Sequence, residues 1–467
     1  ITTFLNMCIR QNVCPDIFKY AKVNPIFKKV EKSVVSNYRP ISILPVFSKL
    51  FEKSMAVRLV KFSQKFNLIS VAQFGFQKNT STTHAILDFI KSIYESLESG
   101  LHSLSIFIDL KKAFDTVNSR VLLEKLYRYG IRGLAYKWFA SYLEGRMQYV
   151  SNGASFSALR RVTIGIPQGS ILGPILFLFY INDLPNCSSL FKFVLFADDT
   201  TLTCSNQSHF CLLSDVNSEL VKISRWTRVN RLSLNISKTH AMLFSNRCSE
   251  ISDLSILFED FCVYFSGTAL GFSSEVKFLG LRLDDNLKFK SHISHVCSKV
   301  SKSVGILYRL SNYVPQSLLL KLYYSLVYPY FIYCNLIWGG TDETHLRPLV
   351  VLQKKIIRII AGASYLDHTS VLFKNLEVLK LYDIHKCIMC QYIHECKLKN
   401  QLNIICHSYN TRNGQRPLPT VQRLTLTQRT PFHAGVIIYN SLPDVIKNCR
   451  EMLSFKKLLR KYFVGLY

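Results

Sequence analysis

The residues best placed to do chemistry are two adjacent carboxylates, Asp198 and Asp199. They follow the apolar run Phe193-Val194-Leu195-Phe196-Ala197 and precede the β-branched run Thr200-Thr201-Leu202-Thr203. That pattern predicts strand, tight turn, strand. A hairpin tip is fixed by its ladder and faces outward, and paired carboxylates there suit a divalent cation with hard oxygen ligands. An exposed Asp-Asp turn with no ligand would have the same pattern. A third carboxylate, Asp109, ends the buried run Leu104-Ser105-Ile106-Phe107-Ile108. Strand termini of this kind hold active-site ligands in open α/β sheets. If this strand lies beside the hairpin, the three carboxylates converge. Converging carboxylates with no nearby His or Cys suit two Mg²⁺ ions roughly 4 Å apart, and hence phosphoryl or nucleotidyl transfer.

Other residues can serve that chemistry. Lys28 and Arg39 flank a short hairpin-like element and can clamp a triphosphate, Arg bidentately and Lys as a point charge. Each could equally be a solvated surface charge. The loop Gly165-Ile166-Pro167-Gln168-Gly169-Ser170 can bring backbone against a ligand, with Gln168 supplying an amide. Lys238 faces the Asp turn if the following strand, residues 240–244, joins the same sheet. Asp115 lies where a helix N-cap is expected, and capping is preferred to catalysis. Phe114 beside it reads as core. The loop from Gln73 to His84, rich in Gly and hydroxyls, caps the next helix and could also contact a phosphate backbone.

The elements that must position these groups alternate in type. Helices are expected over residues 46–66, 85–97, 118–129, 134–143 and 212–229, with a very apolar helix ending at Ile181. Strands are expected at residues 22–29, 104–110, 147–149, 160–164, 240–244, 261–265 and 276–283. From Phe289 long helical segments take over, at residues 291–310, 316–333, 345–361 and 383–395, so a domain boundary is placed near Asp285. The run 318–340 is nearly all apolar, but Lys321 and Pro329 interrupt it and favour a buried helical hairpin over a membrane span. Cys387, Cys390 and His394 share one helix face, and with Cys396 they do not match a two-knuckle zinc spacing.

The chain has 467 residues, with 58 Lys plus Arg against 30 Asp plus Glu, a net charge of +28. Its hydrophobic content of 48% supplies packed cores and excludes global disorder. The basic excess runs along the whole chain and favours a polyanion partner, most simply nucleic acid, with an anionic membrane surface as the rival. The 14 cysteines are irregularly spaced and read as reduced thiols of an intracellular protein. The first residue is Ile1, not Met, so a missing upstream part is expected, and no signal peptide is legible.

In order, the chain contains Asn37-Tyr38-Arg39-Pro40-Ile41-Ser42, Gln73-Phe74-Gly75-Phe76, the stretch from Phe107 to Asp115, Gly165 to Ser170, Phe196-Ala197-Asp198-Asp199, Asn235 to Thr239 and Lys277-Phe278-Leu279-Gly280. This series resembles the motifs of non-LTR (LINE-type, Jockey/CR1-like) retrotransposon reverse transcriptases over about residues 20 to 285. The later helices resemble the same elements more weakly. The resemblance implies an α+β right-hand polymerase: fingers and palm with an antiparallel palm sheet over 1–285, a helical thumb over 286–340 and a mostly helical C-terminal extension over 341–467. It implies RNA-directed DNA polymerase activity with Mg²⁺ or Mn²⁺, an RNA template, a DNA primer and dNTPs, in nucleus and cytoplasm. Asp109 and Asp198 would ligate the metals, with Asp199 less direct. Lys28 and Arg39 would contact the triphosphate, Phe114 would exclude a 2′-OH, and Gln168 and Gly169 would border the templating base and incoming nucleotide. Lys238 would lie near the leaving pyrophosphate, and Phe278, Leu279 and Gly280 would grip the primer end. The upstream endonuclease usual in such elements is absent from this sequence. A decayed or domesticated copy that only binds nucleic acid, and an RNA-dependent RNA polymerase, are the alternatives.

Overall fold

The computed structural model describes residues 2–28, 31–153, 155–246, 263–265, 267–399, 417, 419 and 421–467. The chain is α+β and forms two units: residues 1–85, 103–242 and 248–273 make the first, and residues 86–102, 243–247 and 274–467 the second.

The first unit opens with helix α1 (Thr2–Arg10) and a five-stranded sheet. β1 (Tyr20–Phe27) pairs antiparallel with β2 (Tyr38–Ile43) and parallel with β4 (Met147–Asn152). β4 also pairs with β5 (Ser155–Phe156) and β6 (Arg160–Arg161). Pro25 faces Pro40 across the β1–β2 ladder, while β4 pairs only with Tyr20 to Val23. The proline therefore removes no hydrogen bond from the β4 side, which is how a proline is tolerated in a central strand. Ahead of helix α2 (Val46–Lys65), where the sequence predicts no strand, Pro40 favours an extended backbone and residues 38–43 form β2.

The second sheet of this unit has the order β7-β8-β3-β9. Its strands are β3 (His102–Ile108), β7 (Lys192–Phe196), β8 (Asp199–Asn206) and β9 (His240–Phe244). β3 is buried along its whole length, and its polar residues have partners: Ser103 pairs with Ser205 at 2.7 Å and Ser105 with Thr203 at 3.0 Å. Buried hydroxyls need such partners, so these pairs help fix β3 beside β8 in register. Helices α4 (Ser119–Arg128), α5 (Gly133–Leu143), α6 (Leu172–Ile181) and α7 (His209–Val229) follow the expected pattern. α6 is apolar all round and almost wholly buried, as such a helix must be. Phe51, Trp138, Tyr142, Phe177 and Tyr180 share its core.

In the second unit, helix α3 (Thr82–Glu98) contributes its residues from Ile86 onward. Residues 276–283, read as one strand, are a hairpin: β12 (Glu275–Phe278) and β13 (Leu281–Asp284) pair antiparallel about Leu279-Gly280. In the first unit, β10 (Val263–Phe265) pairs with β11 (Thr268–Leu270); the rest of the expected strand 261–265 lies outside the described residues. The apolar run 316–333 breaks at Val327 into Gln316–Leu326 and Tyr328–Ile332. No described helix is long and apolar enough to cross a membrane. Cys387, Cys390, His394 and Cys396 are buried along Leu381–Leu398. His394 stacks on Phe455 at 3.8 Å, and burial pushes the Cys390 thiol up to about 12.

Candidate active site

The acidic turn sits between β7 and β8, where Phe196 pairs with Asp199. Only Ala197 and Asp198 lie between them, and Ala197 takes φ 57°, in the left-handed region that a two-residue hairpin turn demands. A neighbouring segment braces this strained residue. The buried Gln73 accepts through Oε1 from the N–H of Gly75 at 2.7 Å and of Ala197 at 3.1 Å. Phe74 donates to the Leu195 carbonyl and Leu195 to that of Ala72, both at 2.8 Å. Gly75 lies so close that an added Cβ would be 2.3 Å from the Ala197 nitrogen. Ser81 caps α3 as expected, accepting from the His84 N–H at 3.3 Å. The bracing by Gln73 was missed in sequence; its available signal was a glycine immediately after a Gln-Phe pair.

Asp109 arrives from β3, the strand beside β8. The segment from Ser233 to Thr239 holds it. Asn235 donates its N–H to the Asp109 carbonyl at 2.8 Å and its amide Nδ2 to Oδ2 at 2.7 Å. The Thr239 hydroxyl accepts from the Asp109 N–H at 3.4 Å, and Lys238 Nζ stands 3.6 Å from Oδ2. Lys238 thus meets Asp109. Asn235 is a second residue whose role the sequence did not disclose.

The carboxylates act on one another. Burial raises the Asp198 pKa, the charge of Asp109 adds to that, and Arg39 opposes it. Partial desolvation, then the charges of Asp198 and Asp109, push Asp199 up to about 6, although it reaches solvent. Like charges crowded in this way are relieved by a cation. Among the described residues no three His, Cys, Asp or Glu form a closed cage. An oxygen-only set built on two carboxylates nevertheless fits Mg²⁺, which usually takes one or two carboxylates and completes its shell with water and phosphate.

Arg39 lies opposite Ile26 in the β1–β2 ladder, and Lys28 follows β1; both are exposed. Arg39 acts on Asp198, while Lys28 and Lys112 act on Asp115. Asp115 is not the N-cap of α4. Asn118 is, accepting from Arg120 and Val121, because the short 3-10 turn Ala113–Thr116 delays the helix start. Asp115 instead accepts from Gln168 Nε2 at 2.9 Å. Gly169, at φ 124°, packs on the Ser42 carbonyl, where an added Cβ would lie at 2.4 Å. Phe114 is half-buried, its ring stacked on the core residue Phe177 with centroids 4.7 Å apart. A cavity of about 240 Å³ is lined by Pro40, Ser42, Asp115, Arg146 and Gln168, among others.

Of the residues singled out by sequence, Asp109, Asp198, Asp199, Lys238 and Arg39 gather at the acidic turn. Asp115 links Lys28 and Gln168, with Gly169 adjoining. Phe278, Leu279 and Gly280 belong to the second unit. There Leu279 (φ 45°) and Gly280 (φ 89°) make the hairpin turn, and the Tyr333 hydroxyl donates to the Leu279 carbonyl.

Residues 27–283 match the family model described as reverse transcriptase (RNA-dependent DNA polymerase). The chain belongs to this family. Over 441 residues it is 28% identical to the probable RNA-directed DNA polymerase from transposon X-element of Drosophila melanogaster, covering 92% of this chain and 47% of that protein. It is 26% identical over 390 residues to the RNA-directed DNA polymerase from mobile element jockey of the same organism, covering 81% and 42%. A probable RNA-directed DNA polymerase from its transposon BS is 28% identical over 392 residues, covering 80% and 42%. The chain spans about half the length of the curated relatives it matches. These relatives agree with the LINE-type resemblance carried by the motif order.

Proposed function

We propose that this reverse transcriptase chain is an RNA-directed DNA polymerase of a non-LTR retrotransposon. The observation that carries the reading is the arrival of Asp109, from β3, beside the Asp198-Asp199 turn, with Arg39 acting on Asp198 and Lys238 on Asp109. In the reaction a primer 3′-oxygen bonds to the α-phosphorus of a dNTP, and the bond to the bridging oxygen breaks to release pyrophosphate. Asp109 and Asp198 are the residues that would hold Mg²⁺ or Mn²⁺, whose bound charge supplies hydroxyl activation and neutralisation of the triphosphate.

Arg39 and Lys28 lie on the exposed β1–β2 hairpin and clamp the triphosphate. Lys238 is aimed at the centre by its approach to Asp109 and places a proton near the leaving pyrophosphate. Phe114 is rooted on Phe177, so its ring is a rigid wall against a 2′-OH. Gln168 and Gly169 border the base pair being formed. The fold is assigned as a right hand, with fingers and palm to about Asp285, a helical thumb to about Gly340 and a helical extension. The net charge of +28 supports binding of an RNA template and DNA primer.

Primer extension tests this. With an RNA template, a DNA primer, dNTPs and Mg²⁺, the chain extends the primer, and Asp198→Ala abolishes extension. Salt-sensitive template binding without incorporation would instead indicate a copy that only binds nucleic acid.

A further inference from the structure

Helix α2 carries one acid that its exposed face does not explain. Glu52 is 1% exposed. Each of its carboxylate oxygens meets a donor from a different element: Oε1 accepts from the Tyr142 hydroxyl of α5 at 2.8 Å, and Oε2 from the Ile171 N–H at 2.7 Å. Arg146, also buried, lies near enough for its charge to favour the ionised form, against the burial that raises the Glu52 pKa.

Ile171 opens α6. The first N–H groups of a helix have no partner within it, and its N-terminus carries partial positive charge. The sequence Leu172–Ile181 offers no polar side chain to satisfy them, and Ile171 itself cannot cap. Ser170 serves the Gly173 N–H at 2.9 Å, and Glu52 serves Ile171 from another helix. A carboxylate suits this place, since it both accepts the hydrogen bond and complements the dipole.

The loop that this contact ends is the one bearing Gln168 and Gly169. Its other ties are known: Gly165 donates to the Val117 carbonyl and Ile166 to that of Phe114, both at 2.8 Å, and Ser42 donates to the Gln168 carbonyl at 2.7 Å. Those ties hold the start and middle of the loop, from Phe114, Val117 and Ser42. Glu52 is the anchor at its far end, inside the core.

We propose that Glu52 is a positioning residue for nucleotide binding, fixing through Ile171 the end of the Gly165–Ser170 loop and so the placement of Gln168 and Gly169. This rests on the polymerase reading above. Glu52 touches no reacting atom. Its effect is geometric, and small displacements of substrate-positioning groups are large in rate terms.

The test is Glu52→Gln, which keeps the shape but sets an amide N–H against one of the two donors. Two readouts are taken on the full chain: hydrogen exchange at Ile171 and Leu172, and steady-state dNTP incorporation on an RNA template with a DNA primer. Exchange at Ile171 is expected to rise about tenfold, from local opening. The dNTP KM is expected to rise about tenfold with kcat changed by less than about threefold, the signature of weakened binding. Faster exchange with unchanged KM, or a loss confined to thermal stability, would make Glu52 a helix cap only and overturn the proposal. Should Glu52→Gln not fold, Tyr142→Phe removes one donor and frees the carboxylate; a KM rise of about threefold is then expected, and an unchanged KM overturns the proposal. If the unaltered chain incorporates no dNTP, the polymerase reading falls, and with it the proposal, whereas unchanged exchange in Glu52→Gln overturns the anchor alone.

Discussion

Two hairpin tips in this chain, Ala197-Asp198 in the first unit and Leu279-Gly280 in the second, are both two-residue turns. They differ in backbone and in what they carry: Ala197 alone is left-handed in the first, Leu279 and Gly280 both are in the second. The second tip is uncharged, and the Tyr333 hydroxyl donates to its Leu279 carbonyl. The first carries carboxylates that repel one another and a third, Asp109, brought against them. Its strain is offset by Gln73, Gly75 and the Phe74–Leu195 backbone bonds. The brace sits where like charges crowd, and crowded like charges of this kind mark functional sites.

The largest way to break the comparison is to remove the brace. Gly75→Ala sets a methyl against the Ala197 backbone, which cannot yield as a side-chain tip could. Overpacking of this kind costs about 1–3 kcal/mol. Displacing the acidic turn by a fraction of an ångström should also lower primer extension about 10²-fold. Denaturant unfolding and extension rates check both; an unaffected enzyme would mean the brace is incidental.

A second test concerns acid. In the second unit, burial lowers His292 and His385 to about 4. Their unfolded values lie near 6.5. A folded pKa below the unfolded one gives stability that is complete above about pH 6.5 and is lost as pH falls towards 4. Each site contributes at most on the order of 3 kcal/mol. The carboxylates of the first unit act in the opposite sense, since protonation relieves their repulsion. Thermal unfolding at pH 7 and pH 4.5 should show the acid sensitivity, and His385→Gln should reduce it. An identical pH slope in the variant would remove His385 from the account.

Phe114→Ala should raise ribonucleotide use relative to dNTP by roughly tenfold or more, by removing the wall that rejects the 2′-OH. Competition assays with matched nucleotide pairs read this directly, and unchanged selectivity would return Phe114 to a core role. The smallest effect belongs to the neutral tip. Tyr333→Phe removes one hydrogen bond, worth about 1 kcal/mol, and should weaken primer binding only about twofold to fivefold. A loss as large as that of Gly75→Ala would show that the two tips are equally demanding.

What the sequence disclosed and what it hid have physical reasons. Helices α4 and α7 were legible because each has an apolar face, α2 by the spacing of Phe51, Met55 and Leu59, and the hairpin at Asp198 because apolar residues stop at the turn. The strand β2 was obscured by prolines, and the turn at Leu279-Gly280 by apolar residues on both sides of it. The acids and cations stood out by type. Their supports did not: Gln73, Asn235 and Glu52 are ordinary polar residues whose meaning lies in contacts with distant segments, which no local pattern encodes. Asp115 was misread because its spacing suited a cap, and only the position of Asn118 separates the two.

Asp109 and the Asp198 turn come from different strands and are proposed to form one catalytic centre. The most direct measurement is Mg²⁺-dependent primer extension on an RNA template by Asp109→Asn, beside the unaltered chain and Asp198→Ala. Asp109→Asn should lose at least about 10³-fold in kcat, as Asp198→Ala does, while still binding template. Activity within tenfold of the unaltered chain would contradict the shared centre.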